Sequence, residues 1–509
     1  MSIGYEFLAG LLHPMRPIPP RVAAKVAPVT RVVIDDEGNL QVPAAVAPRG
    51  ATPIEHLLFA LRYEGVNAEI AGALFERGIV SASDLVAAFE AAPSSRFVRR
   101  ACYLYEALIG DTLEGHRVTA GAYVDLHDRD RFVTSDAGTR SAKWRLHDNG
   151  LGPASGFSPI VRRTRRLDEY MGRNLFAALD AFSQRARELG LLDRALDWAY
   201  LAETQKSFEI ERETPSPDKQ RRFAELLAQA HERRPLDEQY LVELQNAAIS
   251  NPFDLAPGYR TQQNYLVRGG HGALAVRYVP PPPAMVHPLM DALAGFANSD
   301  RSVDPVVKAS LVSFGFVFVH PFMDGNGRLS RFLFHHALCR AGVLENGLLL
   351  PVSVAMKNNE RGYLAALESF SLPARRAWDV ICVAPDDCQA DFRGNGLMYS
   401  HFEATRQVEF GFECAWAAID QHLGKEVDFL ARFDQIRERI DAEHDVRGTV
   451  LQHLIVSALQ HGGTVSRNLR RKYADLVPPA VFDAVEIEAE ACLQADVRPR
   501  LSPSRTRPA

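Results

Sequence analysis

The sequence predicts a mainly α-helical chain in which β structure is confined to short strands and hairpins. Apolar residues recur at helical spacing from about residue 52 onward, and cap and stop residues bracket those runs. Aromatic and β-branched residues gather around glycines at YRTQQNYLVRGGHGALAVRYVPPPP, a hairpin signal closed by a proline run that continues neither a helix nor a central strand.

Residues 1–50, rich in Pro, Val and Ala, read as an extended arm with one hairpin at RVVIDDEGNLQV. Thr52-Pro53 pairs a capping residue with a first-turn proline, and Leu57, Leu58 and Leu61 follow at helical spacing. A second helix is expected from about Arg96 to Leu108, stopped by Gly110. Leu126 to Arg163 is polar and reads as loops and short strands. Helix resumes from about Leu167 to Glu213, where TPSPDK breaks it, and further helices are expected at about 218–232 and 235–248. Asp304-Pro305 opens an apolar helix, and a second runs from about Arg328 to Cys339 with Gly342 as its stop. From about 352 to 490 the pattern is mostly helical.

A chain of 509 residues exceeds what one ordinary core holds, so two to four domains or one elaborated helical domain are expected. With 24% charged residues and a formal net charge of -5, gross electrostatics favours neither nucleic acid nor membrane, and any anion site must be local. No long uninterrupted apolar run and no leader-like N-terminus are present, so the reading is a cytoplasmic protein with no membrane partner. Cys102, Cys339, Cys382, Cys388, Cys414 and Cys492 lack paired spacing and are expected to be reduced, mostly buried thiols.

The chemistry lies in His320-Pro321-Phe322-Met323-Asp324-Gly325-Asn326-Gly327-Arg328-Leu329-Ser330-Arg331, a polar turn between two apolar helices. Gly325 and Gly327 around Asn326 let several amides converge, and the next helix adds its unpaired N-terminal amides, so the backbone forms an anion cradle. Arg328 and Arg331 share a face of that helix's first turn, where a cation gains nothing from the helix dipole; a polyanion to be clamped explains them better. Asp324 adds a carboxylate beside the expected phosphates, a common way for a magnesium ion to be held, and His320 is the natural general base for a hydroxyl nucleophile.

This run resembles the signature of the Fic family, matched at His320, Phe322, Asp324, Gly325, Asn326, Gly327, Arg328 and Arg331. The resemblance implies a Fic-type helical core over about 232–375 with a β-hairpin flap, in which Gly272, Ala273, Leu274 and Ala275 align a target segment by strand pairing. It also implies transfer of AMP from ATP, with magnesium, onto a Ser, Thr or Tyr hydroxyl of a protein target or of the chain itself. Relatives that act as kinases carry lysine in place of Gly327. Upstream, Ser207 to Glu211 resembles the family's inhibitory helix, in which Ser207 supports and Glu211 pairs with Arg331 and excludes the γ-phosphate. Arg212 departs from the usual Gly or Asn. At Arg361-Gly362-Tyr363-Leu364 a second tyrosine is missing, so Leu364 would meet the base by apolar contact.

The chain accordingly reads as an arm (1–50), an N-terminal helical region (51–175), an inhibitory-helix region (176–231), the catalytic core (232–375), C-terminal helices (376–460), a small helix-turn-helix-like, winged-helix-like segment (461–495) and a disordered tail (496–509). Arg467, Arg470, Arg471 and Lys472 offer that small segment a nucleic-acid contact, and a homo-oligomer is compatible with the sequence. Two other functions use the same residues: a hydrolase that removes AMP, with Glu211 orienting water, and an ATP-sensing regulator or DNA-binding adaptor.

Overall fold

The computed structural model describes residues 2–35, 38–50, 52–249, 255–270, 272–344, 347–384 and 387–494; the tail expected to be disordered at 496–509 lies outside the described residues. Two compact units emerge, residues 1–175 with 200–416, and residues 176–199 with 417–509.

The first fifty residues are not an extended arm. They form strands β1 (Ser2–Ile3), β2 (Ala24–Val26), β3 (Val33–Ile34) and β4 (Leu40–Val42) in the order β1-β2-β4-β3, together with helix α1 (Gly4–Gly10). Only β2 and β4 pair in parallel, and the expected hairpin is β3–β4. Ile3, Tyr5, Leu8, Leu12 and Val42 are buried, so the apolar residues of this segment drive a small core instead of a solvated arm.

Helices α2 (Pro53–Tyr63), α3 (Ala68–Glu76), α4 (Ala82–Ala91) and α5 (Arg96–Ile109) follow, with Pro53 in the first turn of α2 and Gly110 closing α5 at φ 84°. They share a core with Trp144 and Leu146, the latter on a three-stranded sheet of β5 (Val124–Asp125), β6 (Thr139–Ser141) and β7 (Leu146–Asp148), ordered β5-β7-β6. Then come α6 (Arg165–Met171), α7 (Leu175–Glu188), α8 (Leu192–Ile210), α9 (Pro217–Ala228) and α10 (Glu238–Ala248). The glycine-rich hairpin is β8 (Leu266–Val267) with β9 (Val276–Tyr278), antiparallel.

Helices α11 (Pro283–Asn298), α12 (Pro305–Val319) and α13 (Asn326–Arg340) build the centre of the first unit. Nearly every residue of α12 and α13 is buried, so each is apolar or internally bonded on all sides, and the turn joining them is pinned from both ends. Helices α14 (Val352–Asn358) and α15 (Glu360–Arg375) complete this layer. The mostly helical reading beyond 352 is interrupted by a hairpin, β10 (Trp378–Ala384) with β11 (Asp387–Phe392), in which Cys382 and Cys388 face each other and form a disulfide. That corrects the expectation for these two cysteines; the other four are buried thiols. Helices α16 (Leu397–Ser400) and α17 (Thr405–Ala417) follow.

In the second unit, α18 (Gly424–Glu443), α19 (Gly448–Gln460), α20 (Arg467–Tyr473) and α21 (Pro479–Gln494) enclose Ile436, Leu454, Ile455, Tyr473, Phe482 and Val485. No strand occurs among the described residues of this unit, so the winged-helix variant of the expectation is not met. Arg470 is paired with Asp483 and Glu486, which removes one cation from the basic cluster on α20. Among the described residues no helix is long and apolar enough to cross a membrane.

Asp304 caps α12 by accepting from Val306 N (2.9 Å) and Val307 N (3.2 Å), as its sequence position suggests. Asp304→Ala is expected to destabilise the first unit by about 1 kcal/mol, and Asp304→Asn by much less, read as midpoint shifts in denaturant unfolding.

Candidate active site

The turn after α12 is shaped by three devices. His320 ends the helix in the left-handed region (φ 52°), Gly325 repeats that conformation (φ 82°) ahead of α13, and Asn326 ties the loop between them. The Asn326 side chain accepts from Phe322 N (3.0 Å) and donates to Phe322 O (2.8 Å). Asn326 thus spends its amide on the loop itself, holding the turn open toward the N-terminal amides of α13.

His320 is buried, and its Nδ1 lies 3.2 Å from Val317 O. A carbonyl only accepts, so Nδ1 carries the proton and Nε2 keeps its lone pair. Burial pushes the imidazole down to about 4, partly countered by the Val317 contact. The ring is therefore neutral near pH 7.

Arg328 and Arg331 are both almost fully buried, with side chains 3% and 1% exposed, and both face the end of α8 and the segment that follows it. Arg331 Nε donates to Ser207 Oγ (2.8 Å), and its Nη2 donates to Ser207 O (2.9 Å) and Glu211 Oε1 (2.9 Å). Arg328 donates to Glu213 Oε2 (3.0 Å) and Asp324 Oδ2 (3.3 Å), and its guanidinium lies over Phe208. Arg328 Nε and Arg331 Nη1 are buried without an acceptor among the described residues. Donors in that condition favour an incoming anion.

The Glu211 carboxylate also covers the first turn of α13. A Cβ built on Gly327 would lie 2.1 Å from Glu211 Oε1, so the observed pose requires glycine there. Below it the two helices run antiparallel in steps of four residues. Glu211 meets Gly327, Ser207 meets Arg331, and Glu203 meets His335, whose Nε2 lies 3.1 Å from Glu203 Oε1. Glu203 is fully buried and also accepts from Ser353 N (2.7 Å) and Ser353 Oγ (2.6 Å), fixing α8 to the start of α14. Arg212 stands in the left-handed region at φ 60°, which gives the usual Gly or Asn at this position a physical reason.

Glu203 and Arg260 were not singled out by the sequence reading. Arg260 is buried behind the turn, donating from Nε to His320 O (2.9 Å) and from Nη2 to Pro281 O (2.6 Å), while its own N–H bonds Pro321 O (2.8 Å). It fixes the chain around His320 to the prolines after β9. Gly272, Ala273, Leu274 and Ala275 form the turn of the β8–β9 hairpin and not its strands, because Gly269, Gly270 and Gly272 all take positive φ; Leu274 is 94% exposed. Tyr363 packs against Phe314 and Phe410.

The profile of the Fic/DOC family matches residues 235–338. A probable protein adenylyltransferase of Aquifex aeolicus (strain VF5) is 32% identical over 115 residues, covering 23% of this chain and 31% of the relative. A protein adenylyltransferase Fic of Drosophila willistoni is 36% identical over 104 residues, covering 20% of this chain and 19% of the relative. The chain therefore spans a third or less of the length of these relatives. Among solved structures, a Fic family protein from Desulfovibrio desulfuricans G20 aligns with a TM-score of 0.38 at 20% identity, over 64% of this chain and 89% of that one. Residues 235–338, with the His320–Arg331 turn inside them, are a domain of the Fic/DOC family.

Proposed function

We propose that the chain is a protein adenylyltransferase that moves AMP from ATP to a Ser, Thr or Tyr hydroxyl of a protein, including itself, and that Glu211 holds it in check. One observation carries the reading. The Glu211 carboxylate is bonded to Arg331 and lies against Gly327, filling the anion cradle that the turn and the start of α13 create. An internal carboxylate in a site built for phosphate is a competitor of the same charge.

With Glu211 withdrawn, the amides around Gly325 to Gly327 receive the phosphates of ATP, and Arg328 and Arg331 clamp them. His320 Nε2 takes the proton from the target hydroxyl as that oxygen bonds to the α-phosphorus, and the bond to the β-phosphate oxygen breaks to release pyrophosphate. Asp324, with a side chain 60% exposed at the mouth of the turn, fits the role of a magnesium ligand. Such an ion would neutralise charge on the departing pyrophosphate.

Three measurements test this. Glu211→Gly is expected to raise self-labelling with α-labelled ATP at least about tenfold, the scale of one lost charge-assisted contact; adding His320→Ala should abolish labelling while ATP binding persists. Equal labelling by wild type and Glu211→Gly would remove the inhibitory role, and labelling by the double variant would remove the base. Because the imidazole sits near 4 instead of 6.5, its base form is lost only as pH falls toward that lower value. The kcat/KM of Glu211→Gly should therefore be flat from about pH 5.5 to 8, without a rising limb centred near 6.5. Glu203→Gln keeps the shape of the buried anchor but loses an acceptor. Self-labelling should rise several-fold, by about 1 kcal/mol of weakened anchoring, with Glu211 still present; an unchanged rate would make the anchor irrelevant to inhibition.

A further inference from the structure

A second cationic cavity lies in the first unit, between α2, α5 and the loop that carries β5. It encloses about 550 Å³ and is lined by Arg62, Arg96, Phe97, Arg100, Arg131 and Asp128, among others. That volume falls in the range of small-molecule sites, roughly 300–1,000 Å³. Three guanidiniums surround one ring: Arg62, Arg96 and Arg100 lie 5.7, 5.5 and 5.6 Å from the Phe97 centroid. Arg96 and Arg100 are one helical turn apart, so their charges repel.

Of the carboxylates lining the cavity, Asp125 is committed to other cations. Asp125 binds Arg129 (2.8 Å) and His147 (2.9 Å), and Asp128 accepts from Asp130 N (3.0 Å). Among the described residues Arg62, Arg96 and Arg100 form no ion pair. Arg100 is the informative member. It is 8% exposed, and its one hydrogen bond runs from Nε to Asp125 O (2.8 Å). Burial and the neighbouring Arg96 push this guanidinium down to about 10, against a smaller opposing pull from Asp128 and Asp125, so it stays charged near neutrality with no carboxylate bonded to it. A solvated basic face keeps its arginines in water, whereas this cluster buries one of them in the wall of a cavity.

We infer that this cavity binds a small phosphorylated, hydroxyl-bearing molecule, with the phosphate on Arg96 and Arg100 and the hydroxyls toward Asp128 and Asp130. Planar guanidiniums suit phosphate oxygens two at a time, and the aspartates across the cavity accept from hydroxyls. A buried floor reached through a concave mouth selects a small ligand over a flat macromolecular surface. The site is separate from the His320–Arg331 turn and shares no residue with it.

The test is calorimetric titration of ribose 5-phosphate into the full chain, into Arg96→Gln, Arg100→Gln and Glu211→Gly. Wild type should bind one equivalent, Glu211→Gly should keep that site at the same affinity beside any site in its emptied cradle, Arg96→Gln should bind about tenfold more weakly, and Arg100→Gln not measurably. Thermal melts followed by circular dichroism establish whether Arg100→Gln is folded; if it is not, Arg96→Gln alone decides. No binding to wild type, equal binding to Arg96→Gln, or a single site that tightens in Glu211→Gly with the stoichiometry still one would each overturn the proposal, the last by placing the wild-type ligand at the cradle. Inorganic phosphate binding as tightly as ribose 5-phosphate would mean an adventitious ion only. A phosphoserine peptide binding more tightly than the sugar phosphate would reassign the cavity to a protein partner and overturn it as well.

Discussion

Everything around the turn depends on keeping the Arg331 guanidinium paired while it is out of water. A buried cation without acceptors is costly, and here the acceptors come from a segment more than a hundred residues upstream. Ser207 supplies a hydroxyl and a carbonyl, and Glu211 supplies the charge. Because Arg331 sits one turn into α13, satisfying it also sets the register of α8 against α13. That register brings Glu203 to His335 and leaves Glu211 over Gly327. The His320–Arg331 turn and the segment facing it are therefore one packing problem solved once.

The His320–Arg331 turn was legible in the sequence because its chemistry is local. Glycines, an asparagine and two arginines within one run leave few conformations in which the backbone donors do not converge, and positive φ at Gly325 follows directly. Ser207 and Glu211 were legible only through a resemblance, since nothing in a charged helix announces which distant cation it meets. Glu203 and Arg260 escaped for the same reason: their partners are a histidine, a serine and backbone carbonyls far along the chain. The β10–β11 hairpin did carry a signal. WDVICVA is rich in β-branched residues and is followed by Pro-Asp, but it sits among long helical runs that dominate the local pattern. Of the N-terminal sheet the β3–β4 hairpin was anticipated, while β1 and β2 were missed because strands of two or three residues hold too little periodicity, and their stability comes from packing beneath α2.

Asn326 shows how an identity can be anticipated while its work is not. Its amide is consumed by the backbone of Phe322 on both sides, so it shapes the cradle instead of adding a donor to it. Arg260 does the complementary task from behind, tying down the carbonyl of His320. The imidazole is thus oriented by Val317, Arg260 and the helix end together, and none of these contacts uses Nε2. An imidazole held this way is pre-organised for the base role proposed above.

The proposed latch combines firm and weak parts in a definite order. Its far end is fixed by Glu203, buried and bonded to two elements, and its middle by Ser207, also fully buried. Its tip is different. Glu211 is 38% exposed and lies beyond the last turn of α8, and the next residue, Arg212, holds a left-handed conformation that costs a residue with a side chain roughly 1–2 kcal/mol. Strain and solvent access both favour release at the tip without disturbing the anchor. In this chain arginine replaces the glycine or asparagine that would relax that turn, so the observed pose is less stable than the same geometry with glycine would be. For a latch proposed to yield to ATP, weakness at the tip and burial of Glu203 and Ser207 behind it belong together.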